Sequence, residues 1–219
     1  MEVIILSFNA LEYFKEKDVE TIYSEKILGN DIWYFENILS VPKEACSKYY
    51  DDIKRRISQE LDIHFNNICI VGSAKMGFSY KENSFSEFRC EDVGDVEASD
   101  IDIAIICDKK FHLFWNMMLE ITRNGGKLGK SFKEYNYITS AVFRKFMITD
   151  VIPESHNEYI REWNSKIDSL TKDFQTQFKI IHVVNFRLYE SWDGLKNYQI
   201  KSLNKVKTKI LNGEFNNGN

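Results

Sequence analysis

Six residues constrain this chain more than any others: Ile101-Asp102-Ile103-Ala104-Ile105-Ile106, preceded by Ser99-Asp100. A short, almost continuous apolar run is the pattern of a strand buried on both faces in the middle of a sheet. Side chains alternate along a strand, so Asp100 and Asp102 share one face while Ile101, Ile103 and Ile105 take the other. Two aligned carboxylates at the mouth of a buried strand are costly unless something compensates them. Upstream, Ile68-Cys69-Ile70-Val71 reads as another apolar strand, breaking at Gly72-Ser73 into a helix start through Ala74, Lys75, Met76 and Gly77. A glycine lets the backbone approach an anion closely, and a helix start adds a favourable dipole. Ser73 brings a hydroxyl and Lys75 a positive charge. Carboxylates beside a phosphate-holding turn are the minimum kit for magnesium-assisted chemistry on a nucleoside triphosphate, since Mg²⁺ takes one or two carboxylates plus phosphate oxygens and water.

Val71, Gly72, Ser73, Gly77, Asp100, Ile101 and Asp102 together resemble the nucleotidyltransferase superfamily typified by DNA polymerase β. The resemblance covers residues from about 44 to 153. It implies an α+β fold with a mixed sheet and flanking helices, with additional N-terminal and C-terminal helices in this chain. It also implies transfer of a nucleoside monophosphate from an NTP to an acceptor, with release of pyrophosphate and with Mg²⁺ or Mn²⁺ as cofactor. Carried over residue by residue, Asp100 and Asp102 are catalytic metal ligands and Gly72 and Ser73 bind nucleotide; Lys75, by its charge, is expected to bind nucleotide beside them.

The family has a third carboxylate on a neighbouring strand. In the branch of oligoadenylate synthetases, archaeal CCA-adding enzymes and bacterial cyclic-oligonucleotide synthases it often reads apolar-Asp-apolar-apolar-Pro. Met147-Ile148-Thr149-Asp150-Val151-Ile152-Pro153 resembles that motif, with Thr149 departing from the apolar residue before the acid, and makes Asp150 the third ligand. A second strand, Lys179 to Tyr189, also resembles the family's third strand, and there the acid position falls on Asn185. That alternative implies a weakened enzyme or a non-catalytic subunit that binds nucleotide or a partner protein. A further alternative is an antitoxin-type transferase that modifies a partner toxin.

The remaining sequence bounds the architecture and the partners. Residues 1–43 are expected to form an N-terminal addition, and 44–219 the nucleotidyltransferase domain with its C-terminal helix, as one compact unit. Met1 to Ser7 reads as a strand without the basic region of a signal peptide. Helices are expected within about 11–40, from Glu44 to about His64 behind Pro42, over Phe111–Arg123, over Glu158–Phe174 and from Trp192 to about Ile210. Strands are expected at Asn67–Val71, within Tyr137–Ile152 and around Ile180–Tyr189. Tyr80 to Ala98 lacks apolar periodicity apart from Phe85 and Phe88, which fits a lid over the site or a solvated insertion.

With 29 Lys and Arg against 33 Asp and Glu, the chain carries a net charge of −4, which disfavours sequence-independent binding of duplex DNA. The expected acceptor is a small molecule, a protein or tRNA. Lys196, Lys201, Lys205, Lys207 and Lys209 form a basic stretch that is either a solvated helix face or a path for triphosphate or a single strand. The four histidines are isolated, and Cys46, Cys69, Cys90 and Cys107 show no metal or disulfide spacing, which fits a reducing cytoplasm. No apolar run approaches the about 20 residues of a membrane span.

Overall fold

The computed structural model describes residues 3–81, 85–92, 94, 97–129, 131–149, 152 and 157–215, with side chains from residue 10 onward. The protein is α+β. Its four-stranded mixed sheet has the order β1-β2-β4-β3, with β1 at Ile68–Val71, β2 at Ile101–Ile106, β3 at Phe146–Ile148 and β4 at Val184–Tyr189. The strand bearing the aspartates is therefore interior, as its apolar run requires: Ile101 and every residue from Ile103 to Ile106 are buried. β3 and β4 are antiparallel, with Phe146 opposite Tyr189 and Ile148 opposite Arg187. The C-terminal ends of β2 and β4 meet where the Cys107 N–H donates to the Tyr189 carbonyl at 2.9 Å.

The chain folds into two compact units. The first takes residues 1–47, 70–102 and 196–219; the second takes 48–69 and 103–195. In the first unit α1 spans Val3–Glu16 and α2 Val19–Ile22, which widens into a π-helical turn over Tyr23–Ile27. Asp18 caps α2, accepting from the Thr21 N–H at 2.9 Å and the Thr21 hydroxyl at 2.6 Å. α3 (Trp33–Asn37) and the one-turn α5 (Ser73–Met76) follow, and most of α9 (Trp192–Leu211) closes the unit. Phe14, Ile22, Tyr34, Phe35, Leu203 and Val206 are sealed in its core.

The second unit holds most of α4 (Lys43–Leu61), with α6 (Asp108–Arg123), α7 (Phe132–Phe143) and α8 (Glu158–Thr176). α4 carries the expected apolar stripe, burying Tyr50, Ile53, Ile57 and Leu61. Arg56 crosses from α4 to α8, 2.6 Å from Glu60 and 2.6 Å from Asp173. The pair holds its guanidinium protonated even more firmly than usual against the opposing cost of burial. Phe114 of α6 meets Trp163 of α8 edge-on at 5.2 Å.

Three sequence expectations change here. Met1 to Ser7 reads as a strand, but from Val3 onward the chain is already in α1; the β-branched run Val3-Ile4-Ile5 is overridden by the helical pattern that follows it. The strand expected from Tyr137 begins only at Phe146. Tyr137 to Phe143 belong to α7, whose N-cap Ser131 accepts from the Glu134 N–H at 3.2 Å. That Ser-x-x-Glu capping pattern is the helix signal the apolar count overlooked. Lys145, at φ 62°, then turns the chain into β3.

The third change concerns Tyr80 to Ala98, which belongs to the first unit: Tyr80 and the stretch from Phe85 to Arg89 pack there, while Cys90, Glu91, Asp92, Gly94 and Glu97 are exposed. Phe78 and Glu87 form an antiparallel bridge, the Ser79 N–H donates to the Ser86 carbonyl at 2.7 Å, and the Phe88 N–H to the Gly77 carbonyl at 2.8 Å. Tyr80 and Phe88 are buried. Phe85 packs on Phe14 at 5.5 Å and on Phe78 at 5.1 Å.

Candidate functional site

All the first-motif residues and both aspartates belong to the first unit. β1 delivers the chain to Gly72, whose φ of 76° and ψ of −155° lie in a region essentially reserved for glycine. The reason is visible in what surrounds it. A Cβ at this position would lie 3.0 Å from Asp102 Oδ2 and 3.6 Å from the Asp102 Cβ. The Gly-Ser turn and the second aspartate, thirty residues apart in sequence, are thus neighbours in space, with no room for a side chain between them. Asp102 is half-buried between Ile101 and Ile103, both of which face the core, and Asp100 is half-buried one residue before β2. By strand alternation the two carboxylates fall on the same side.

After Gly72 the backbone makes a single helical turn. The Lys75 N–H donates to the Gly72 carbonyl at 3.2 Å and the Gly77 N–H to the Ser73 carbonyl at 2.8 Å. With only four residues, α5 sums few peptide dipoles, so any attraction for an anion here comes from individual N–H and O–H groups rather than from a macrodipole. Gly77 caps the turn at φ 83°, and a Cβ there would strike the Trp33 indole at 2.7 Å. This is why the motif needs its second glycine. Ser73 is half-buried and, among the described residues, its hydroxyl bonds to no other group.

Lys75 is placed differently from the aspartates. Its side chain is only 3% exposed, and its ammonium donates to the Gly29 carbonyl in the loop before α3. Asp150 lies outside the described residues. Its neighbour Thr149 is buried and accepts from the Trp163 indole N–H at 3.0 Å, so its hydroxyl is used inside the second unit. Asn185, the alternative third position, is half-buried on β4, the strand that neighbours β2.

Two residues of this site were not singled out from the sequence. The Gly72 N–H donates to the Tyr80 hydroxyl at 3.1 Å, and that hydroxyl donates to Gln199 Oε1 at 2.8 Å. The available signal was Gln199 itself, a polar residue on the stripe it shares with Leu203, Val206 and Ile210, all buried. Several of the tail lysines serve the fold. Lys196 pairs with Glu20 at 2.8 Å, and Lys207 donates to the Lys15 carbonyl at 3.4 Å and to the Lys17 carbonyl, satisfying the end of α1. Lys201 and Lys205 are exposed.

Among the described residues no group of three or more His, Cys, Asp or Glu side chains is arranged to hold a metal ion. No helix among them is long and apolar enough to cross a membrane. No family model, no characterised protein and no solved structure matched the chain when it was compared with them.

Proposed function

We propose that the protein is a nucleotidyltransferase. The observation that carries this reading is that Asp102 lies where a Cβ on Gly72 would meet it, its Oδ2 only 3.0 Å from that position, so the Gly-Ser turn and the Asp-x-Asp strand are neighbours. The donor set suits a hard divalent cation. Asp100 and Asp102 offer carboxylate oxygens on one strand face, and Ser73 a hydroxyl, with no soft ligand among them. Mg²⁺ or Mn²⁺ bound to Asp100 and Asp102, and to Asp150 as the third carboxylate, would neutralise charge on the triphosphate and its departing pyrophosphate. The protein's own contribution is positioning. The turn at Gly72 and Ser73 orients the phosphates against the carboxylates; the oxygen of an acceptor hydroxyl forms a bond to the α-phosphorus and loses its proton to water, and the bond to the bridging oxygen breaks as pyrophosphate leaves. In this reading Lys75 supports the turn from behind, through the Gly29 carbonyl. The substrate is an NTP and the acceptor a small molecule, a protein or tRNA.

The test is a thermal melt with each of the four NTPs and Mg²⁺ or Mn²⁺, followed by incubation with α-labelled NTP alone, with bulk tRNA and with proteins encoded beside this one. A ligand at a hundredfold its Kd raises stability by about 2.7 kcal/mol, and EDTA should abolish the gain. Asp102→Asn should keep the fold and lose at least about a hundredfold in label transfer. No shift with any NTP and either ion would refute the reading.

One observation favours a second reading. β2 lies between β1 and β4, and β4 carries Asn185 where the family resemblance asks for an acid. On that reading the protein binds nucleotide or a partner without turning it over. Binding without label transfer to any acceptor, with Asp102→Asn indistinguishable from the parent, would select it.

A further inference from the structure

The Gly72 N–H has a protein partner, and that partner has another. Tyr80 is 6% exposed and Gln199 3% exposed, so the bond from Tyr80 to Gln199 is shielded from water, and the bond from the half-buried Gly72 to Tyr80 is partly so. A shielded hydrogen bond is worth little until one partner is removed, when the other is stranded at full desolvation cost. The chemistry at position 80 is specific. The group must accept from an amide N–H and donate to an amide oxygen at once, which a hydroxyl does and a phenyl ring cannot. At position 199 an apolar side chain would continue the buried stripe of Leu203, Val206 and Ile210 without burying an amide. The glutamine's role is therefore at its polar end.

We propose that Tyr80 and Gln199 are positioning residues. They clamp Gly72 in its glycine-only conformation against Asp102, and they leave the Ser73 hydroxyl, rather than the Gly72 amide, as the contact the turn offers to a nucleotide phosphate. This rests on the nucleotidyl-transfer reading above. Glycine reaches this conformation without strain and has many others open to it, so what selects this one is its surroundings: the Tyr80 hydroxyl that accepts from its N–H, and Asp102, which leaves no room for a Cβ. The segment between the two motifs thus contributes a residue to the site at its first turn.

The experiment compares the wild-type protein with Tyr80→Phe, Gln199→Leu, the double variant and Ser73→Ala. Each is titrated calorimetrically at 15 °C with ATP and with inorganic tripolyphosphate, both with Mg²⁺, and amide exchange at Gly72 is followed without ligand. Tyr80→Phe should raise the Kd for both ligands about tenfold, the scale of one buried hydrogen bond. The double variant should be no worse than Tyr80→Phe alone, because the two residues act through one bond to Gly72. Ser73→Ala should raise both Kd values without changing Gly72 exchange, whereas Tyr80→Phe should accelerate that exchange. A role confined to stability would lower the melting temperature and leave Kd at 15 °C unmoved. If the wild-type protein binds ATP and Tyr80→Phe binds it equally well, the proposal fails and the nucleotidyl-transfer reading stands. If the wild-type protein binds neither ligand, that reading fails and this one with it. Should Tyr80→Phe not fold, Gln199→Leu carries the same comparison.

Discussion

Gly72→Ala is the substitution that tests the site's geometry most directly. Two costs add at this position. Forcing an L-residue to φ 76° and ψ −155° costs about 1–3 kcal/mol, and the new methyl would sit 3.0 Å from Asp102 Oδ2, tight enough that the carboxylate or the turn must give. Against these, alanine narrows the unfolded ensemble by about 0.4–1 kcal/mol. The net loss is about 2–3 kcal/mol, or roughly 5–10 °C in melting temperature for a chain of this size. Gly125→Ala is the control. Gly125 has the same φ of 76°, but a Cβ there meets nothing within 4 Å, so only backbone strain is charged and the net loss is about 1 kcal/mol. The decisive measurement is a double-mutant cycle by urea unfolding. In an Asp102→Ala background the crowding oxygen is gone, and Gly72→Ala should cost about 1 kcal/mol less than it does in the wild-type protein. If Gly72→Ala costs no more than Gly125→Ala, or is additive with Asp102→Ala, the turn and the aspartate are not in contact and the site argument loses its foundation.

Two further expectations concern the second unit. The Tyr49 hydroxyl donates to the Phe178 carbonyl, and burial pushes the phenol up to about 12. A raised pKa means stability that is fully present below the unfolded value near 10 and lost as pH climbs from there through about 12. Tyr49→Phe should therefore show a flatter fall of unfolding free energy over that alkaline window, and an unchanged slope would count against it. Thr149→Val leaves the Trp163 indole N–H buried without its acceptor, and should cost about 1–3 kcal/mol in urea unfolding; Thr149→Ser, which keeps the hydroxyl, should recover most of it.

The elements whose signal is local were legible in the sequence. The apolar run of β2, with carboxylates only at its mouth, announced an interior strand, because a strand buried on both faces has no room for alternation. The helices α4, α8 and α9 were visible from their 3.6-residue stripes, and the Gly-Ser turn from the change of period at Val71. Tyr137 to Phe143 reads as strand yet folds as helix for the same reason in reverse: pairs of adjacent apolar residues suit either period, and the Ser131 cap that decides the matter lies outside the stretch. What tertiary structure alone decided is who meets whom. No local pattern could say that Lys75 turns inward to the Gly29 carbonyl, or that Gly72 lies against Asp102. Nor could it say that a tyrosine from a segment without periodicity and a glutamine more than a hundred residues further on would hold the turn between them. Sequence sets the period and the face of each element by short-range sterics and burial. Contacts across large sequence separations are set by packing, where a single hydroxyl finds its partners only after the cores around it have closed.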